Sequence, residues 1–216
     1  MTMPPKATAA APPPFPAERC WPLRMLADGR RPQITSAFWT ANAERIVKTG
    51  RRHYGVDLFY AWRETDGPVR VGDGGAARDP RTGRPRWWIP PGTAAVASAA
   101  GVVVRAALGK TGHLVWIDHG CGWLTGYMHL RRVLVRTGDT VRIGDPVGEV
   151  GDNPVAYDAT HLHFETVTSL RRYPGGCRDP QAWLRGALQV VAEPSTPTPA
   201  SNDVAARGEA VSVQPV

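Results

Sequence analysis

The chain has 216 residues, 42% hydrophobic and 21% charged, a balance that supports one buried core of ordinary size and excludes a chain disordered throughout. A formal net charge of +7 favours polyanionic partners, yet there is no basic helix, paired zinc-finger cysteines or aromatic ribonucleoprotein motif, so no specific nucleic-acid reader is expected. Cys20, Cys121 and Cys177 lie far apart without C-x-x-C spacing, which excludes a zinc ribbon or redox pair and allows at most one disulfide.

Residues 1–19, rich in Ala and Pro, predict a disordered arm. They lack the continuous apolar stretch of a secretory signal, and no segment reaches the roughly 18 apolar residues of a transmembrane helix. A domain follows at 20–191 with its core at 34–184, and a second disordered tail is expected at 192–216, where Pro194, Pro197 and Pro199 stand among small polar residues. Inside the domain Thr40–Val47 reads as a helix. The polar, arginine-rich stretch 63–88 reads as a long loop or loose hairpin.

From there the chain predicts short strands separated by turns: Ala94–Ala97, Gly101–Ala106, Leu114–Asp118 and Trp123–Met128, consecutive and antiparallel. Val133–Val135 and Val141–Ile143 flank Thr137-Gly138-Asp139 as a hairpin, and Gly144-Asp145-Pro146 leads into Val147–Val150. His161–Val167 is a further strand and Pro180–Gln189 a helix with Ala182, Leu184 and Leu188 inward. The expected fold class is therefore mainly β, antiparallel, with one or two short helices. A biotinyl- or lipoyl-type carrier has a similar late meander but needs a tip lysine that this one lacks.

Two contexts carry chemistry. His53 and Asp57 stand four residues apart with Gly55 between them, which reads as a bend that lets both side chains converge. His161 and His163 lie at i and i+2 on a predicted strand, so they share a face while Leu162 and Phe164 turn to the core. Imidazole nitrogen with a carboxylate oxygen suits zinc, and a catalytic site keeps three protein ligands and one open position. His53, Asp57 and one histidine of the strand pair form such a set. By the same alternation Glu165 shares the histidine face, and Tyr127 shares that of His129. Spacing alone makes His129 a core histidine; His113 and His119, beside turn glycines, are assigned to structure.

The H-Y-G-V-D quintet at 53–57, the Y-M-H-L element at 127–130 and the H-L-H-F-E element at 161–165, in this order, resemble the lysostaphin/LytM-type zinc endopeptidases of bacterial cell walls. The stretch from Pro91 to Val104, the D-H-G at 118–120 and the closing D-P-x-x-W-L at 179–184 agree, and the resemblance covers roughly 34–184. It implies a half-barrel groove of duplicated-hybrid-motif type and one zinc ion held by His53, Asp57 and His163. It makes His129 and His161 unligated catalytic histidines: His161 to activate water, His129 to stabilise the oxyanion or protonate the leaving amine, with the roles open to exchange. The implied substrate is peptidoglycan peptide, with Tyr127, Trp87 and Trp88 as groove residues. The insertion at 63–88 and the approach at 152–160 depart from the family pattern. The implied site of action is the cell wall, reached from the cytoplasm by a route the sequence does not name, as a bacterial enzyme or as a phage lysin or tail component among virion or lysis proteins. A non-catalytic wall-binding or regulatory relative is the alternative.

Overall fold

The computed structural model describes residues 11–39, 53–66, 87–90, 92–151 and 161–190. The helix expected at Thr40–Val47, the approach at 152–160, the tail at 192–216 and all but the ends of 63–88 lie outside them. Among the described residues the fold is antiparallel β with very little helix: β1 (Gln33–Ser36), β2 (Val56–Ala61), β3 (Trp87–Trp88), β4 (Ala94–Val96), β5 (Gly101–Gly109), β6 (Gly112–Asp118), β7 (Leu124–Val133), β8 (Thr140–Val141), β9 (Pro146–Val150), β10 (Leu162–Val167), β11 (Cys177–Arg178) and the short helix α1 (Pro180–Leu184).

The sheet runs β1-β2-β10-β7-β6-β5-β8, with β9 joined to β7 and β4, β3 to β2, and β11 to β10. β5, β6 and β7 form the expected meander. The placement of β10 between β2 and β7 brings distant motifs together: His163 lies opposite Asp57 on one side and Met128 on the other. Period-two alternation sends Leu162 and Phe164 of β10, and Val56, Leu58 and Tyr60 of β2, into one core. Val115, Ile117, Val147 and Val150 pack there, and Trp183 and Leu184 of α1 close it. Asp57, His163 and Glu165 take the other face.

The flanks depart from the sequence expectation in four places. β4 pairs with β9, not with β5. No hairpin joins Val133–Val135 to Val141–Ile143, because Val141 pairs with Gly101 and the intervening turn wraps the edge of β5. Gly138 (φ 98°) donates to Val103 O there, and Asp139 closes the turn on the amide of Arg136. Gly144 and Asp145 repeat the same device on Arg142. The closing helix is capped by Asp179 but stops at Leu184, since Gly186 adopts φ 75°; Leu188, expected inward, is exposed. Finally, part of the predicted arm packs on the domain. Phe15 lies between Trp123 and Trp183 (4.8 and 5.6 Å), and Trp123 Nε1–H donates to Pro13 O, because two indoles offer an apolar slot that a ring can fill.

Tyr127 is a further correction. It is fully buried: its hydroxyl accepts from the Ser98 amide (2.7 Å) and the Thr125 hydroxyl (3.0 Å), and its ring meets Phe164 edge-on. A core residue of this kind lines no groove. Replacing Tyr127 with Phe leaves the Ser98 amide without its acceptor, so urea unfolding should report a loss of about 1–3 kcal/mol. An unchanged midpoint would contradict this role.

Candidate metal centre

The site is a set of side chains fixed from behind. His53 Nδ1 lies 2.9 Å from the Ala37 carbonyl and 3.3 Å from Ser36 Oγ, while its Nε2 faces Asp57 Oδ1 at 3.0 Å and His163 Nδ1 at 3.0 Å. His163 Nδ1 lies 2.8 Å from the same Asp57 oxygen, and its Nε2 lies 2.9 Å from Glu165 Oε1. His161 Nε2 approaches Asp57 Oδ1 at 3.4 Å and its ring stacks on Phe59. His53, Asp57, His161 and His163 are all buried.

Carbonyl and carboxylate oxygens only accept hydrogen bonds, so the outer nitrogens of His53 and His163 carry protons. In the neutral rings the inner nitrogens, His53 Nε2 and His163 Nδ1, then present lone pairs to each other and to Asp57 Oδ1. Three electron-rich atoms at 2.8 to 3.0 Å require a cation among them. Zinc at its usual bond length of about 2.0–2.1 Å spans ligand pairs about 3.3 Å apart in a tetrahedron, so a slight opening of the triangle fits the ion. In the metal-free protein a proton fills the need: burial lowers the affinity of His163 for it, but the hydrogen bonds to Asp57 and Glu165 win and lift its pKa to about 9. Burial alone would raise the Asp57 carboxyl, yet the charge of His161 and the hydrogen bonds of His161, His163 and His53 hold it well below the usual range. Among the described residues this is the group of His, Cys, Asp and Glu side chains whose donor atoms converge within 4.8 Å.

His129 joins the centre through a break in β7. Up to Met128 that flank of β7 pairs with β10, and from Leu130 it pairs with β9. His129 stands at this fork with φ 63°, an uncommon conformation for a residue other than glycine and one that concentrates at functional sites. The irregularity reverses alternation, which is why Tyr127 goes to the core and His129 to the site. Its ring lies 4.7 Å from that of His161 and 5.5 Å from that of His163, and its Nδ1 lies 2.9 Å from the Thr111 carbonyl. Burial, reinforced by positive charge on His161 and His163, depresses its pKa to about 3, so it is neutral with the proton on Nδ1 and the lone pair on Nε2.

The remaining expectations resolve differently. Trp87 and Trp88 pair with Ala61 and Tyr60 at the far end of β2, three residues or roughly 10 Å along the strand from Asp57. Trp88 lies under the Arg30 guanidinium (5.5 Å), which also grips Asp66 at 2.6 and 2.7 Å. Both indoles sit where the 63–88 stretch rejoins the sheet, away from Asp57. His119 is structural as expected, bonded to Ala100 O and Thr125 Oγ1. All three cysteines are unpaired. Sequence reasoning missed the acceptors at Ala37 and Thr111, which are backbone groups without a side-chain signal, and Tyr173, whose hydroxyl donates to Glu165 Oε1 at 3.1 Å.

Residues 86–173 match the model of Peptidase family M23. Over 95 residues the chain is 35% identical to the peptidoglycan DD-endopeptidase ShyC of Vibrio cholerae, covering 43% of this chain and 22% of that one. It is 36% identical over 95 residues to the murein hydrolase activator NlpD of Salmonella typhimurium, covering 43% and 23%. The chain thus spans about a fifth of the length of these relatives. The antimicrobial peptidase lysostaphin from Staphylococcus simulans shares the fold at a TM-score of 0.51 and 23% identity, covering 78% of this chain and 56% of that one.

Gly55 has a different role from the bend expected of it. A Cβ there would stand 2.5 Å from Phe164 O and 2.7 Å from His163 Nε2, so its missing side chain is what lets β2 approach β10. Gly55→Ala should therefore push His163 off the triangle and lower zinc content well below that of the parent protein, measured by metal analysis after dialysis. Full occupancy in that variant would contradict the close-approach role.

Proposed function

The chain is a member of peptidase family M23, of the lysostaphin/LytM type, and on that premise we propose that it is a zinc-dependent endopeptidase acting on peptide bonds in the cross-links or stem peptides of peptidoglycan. The observation that carries the reading is the complete donor triangle of His53, Asp57 and His163 with two further histidines beside it. His53 through Nε2, Asp57 through Oδ1 and His163 through Nδ1 would hold one zinc ion per chain. Bound there, zinc would supply Lewis acidity, polarising the scissile carbonyl and acidifying water so that it attacks at neutral pH.

The rest is the work of side chains. His129, neutral and with its Nδ1 proton held by Thr111 O, offers Nε2 as a hydrogen-bond acceptor that aims the attacking water, whose proton then passes to the leaving amine. His161, with Nε2 directed at Asp57 and its ring on Phe59, steadies the carboxylate beside His129. The attacking water, which the sequence suggested for His161, thus falls to His129. Burial of the cluster limits the water that competes for these hydrogen bonds.

A net charge of +7 suits an anionic wall, and the bacterial relatives favour a cellular wall protein over a phage component. The whole centre belongs to the domain at 20–191, which we take as the peptidase unit. An activator of other hydrolases needs no complete donor set, and this chain keeps one.

Zinc-loaded protein incubated with purified sacculi should release new amino groups. His163→Ala should abolish both zinc binding and release, while His129→Ala should keep the zinc and slow release by about 100- to 10,000-fold. Release that survives His163→Ala overturns the reading; no release by the zinc-loaded protein, but faster release by a separate wall hydrolase, would favour an activator.

A further inference from the structure

Glu165 connects the candidate ligand His163 to the protein behind it. The residue is 2% exposed, and one carboxylate oxygen, Oε1, faces two donors: His163 Nε2–H at 2.9 Å and the Tyr173 hydroxyl at 3.1 Å. The other oxygen faces the Cys177 thiol at 4.0 Å. A carboxylate accepts only, so the phenol acts here as a donor. The terminal torsion of a glutamate is broad and does not by itself fix the plane of the carboxylate. Two donors converging on one oxygen do fix it.

We propose that Tyr173 is a positioning residue of the metal centre, which pins the Glu165 carboxylate and through it the ring orientation and tautomer of His163. The proposal rests on the reading of His163 as a zinc ligand. Outer partners of ligating histidines set which nitrogen carries the proton and how the ring is aimed, and their loss weakens metal binding. Tyr173 belongs to none of the three motifs; it comes from the segment between β10 and β11, eight residues after Glu165. That segment is closed on itself by Gly176 N–H to Arg172 O (3.0 Å), Cys177 N–H to Pro174 O (3.0 Å) and Thr168 N–H to Gly176 O (2.9 Å). Gly176 sits so near Ser169 that a Cβ there would lie 2.3 Å from its carbonyl oxygen.

The ring of Tyr173 has a second contact of the same kind. It meets Tyr54, the neighbour of His53, at 6.0 Å in an edge arrangement, and Trp116 at 6.3 Å. One side chain from outside the motifs therefore braces groups beside both histidine ligands: its hydroxyl behind His163, its ring against the residue next to His53. The ring stays partly exposed while the hydroxyl is turned inward.

Tyr173→Phe keeps the ring and removes only the hydroxyl. Competition against a chromogenic chelator should show zinc affinity falling by about fivefold to tenfold, and the visible spectrum of the cobalt-substituted protein should change, with circular dichroism of the metal-free form unaltered. Glu165→Gln should weaken binding by about 10- to 100-fold. In that background the Tyr173→Phe change should lose most of its effect, because its path runs through the carboxylate. Parent-like affinity and cobalt spectrum in Tyr173→Phe, or an effect of equal size with and without Glu165→Gln, overturns the role. A parent protein that takes up no zinc overturns the metal reading first, and this role with it.

Discussion

Three electron-rich atoms, His53 Nε2, Asp57 Oδ1 and His163 Nδ1, are held within 3.0 Å of one another in a buried place, and most of the local structure serves that constraint. Left to themselves they repel or take up a proton. The sheet imposes the approach by making Asp57 and His163 direct cross-strand partners, and Gly55 removes the atom that would keep β2 from β10. Acceptors on the outer nitrogens then leave lone pairs pointing inward. Strand pairing supplies position and hydrogen bonding supplies polarity; neither alone makes a cation site.

The second constraint is the fork in the sheet. β7 serves two partners on one flank, and the change of partner falls at His129, which adopts a left-handed backbone where the ladders separate. A regular strand would have carried His129 to the face of Tyr127, into the core. The irregularity instead places an imidazole beside His161 and His163 while the strand continues to pair on both sides of it. The local conformational strain is tolerated because long ladders hold the chain before and after that residue.

How much of this could be read from residues depended on whether the signal was local. β5, β6 and β7 were legible because alternation and glycine turns act within a few positions. β2 was not, since Val56–Tyr60 is buried throughout and a strand covered on both faces loses its alternation. The ligand candidates were visible from type and spacing, with the choice of His163 over His161 coming from family resemblance; the contacts behind them were not, because carbonyls of Ala37 and Thr111 carry no side-chain signature. Tyr127 was assigned to the groove by a period that the fork at His129 breaks. Trp87 and Trp88 were expected in the groove, yet they close a strand pair with β2.

Zinc K-edge absorption of the metal-loaded protein tests the centre most directly. Two imidazole nitrogens and a carboxylate oxygen should appear at about 2.0–2.1 Å, with outer-ring scattering from two histidines and one further light atom. A sulfur shell at about 2.3 Å, or an ion without imidazole scattering, would contradict the assignment of His53, Asp57 and His163 as the ligands.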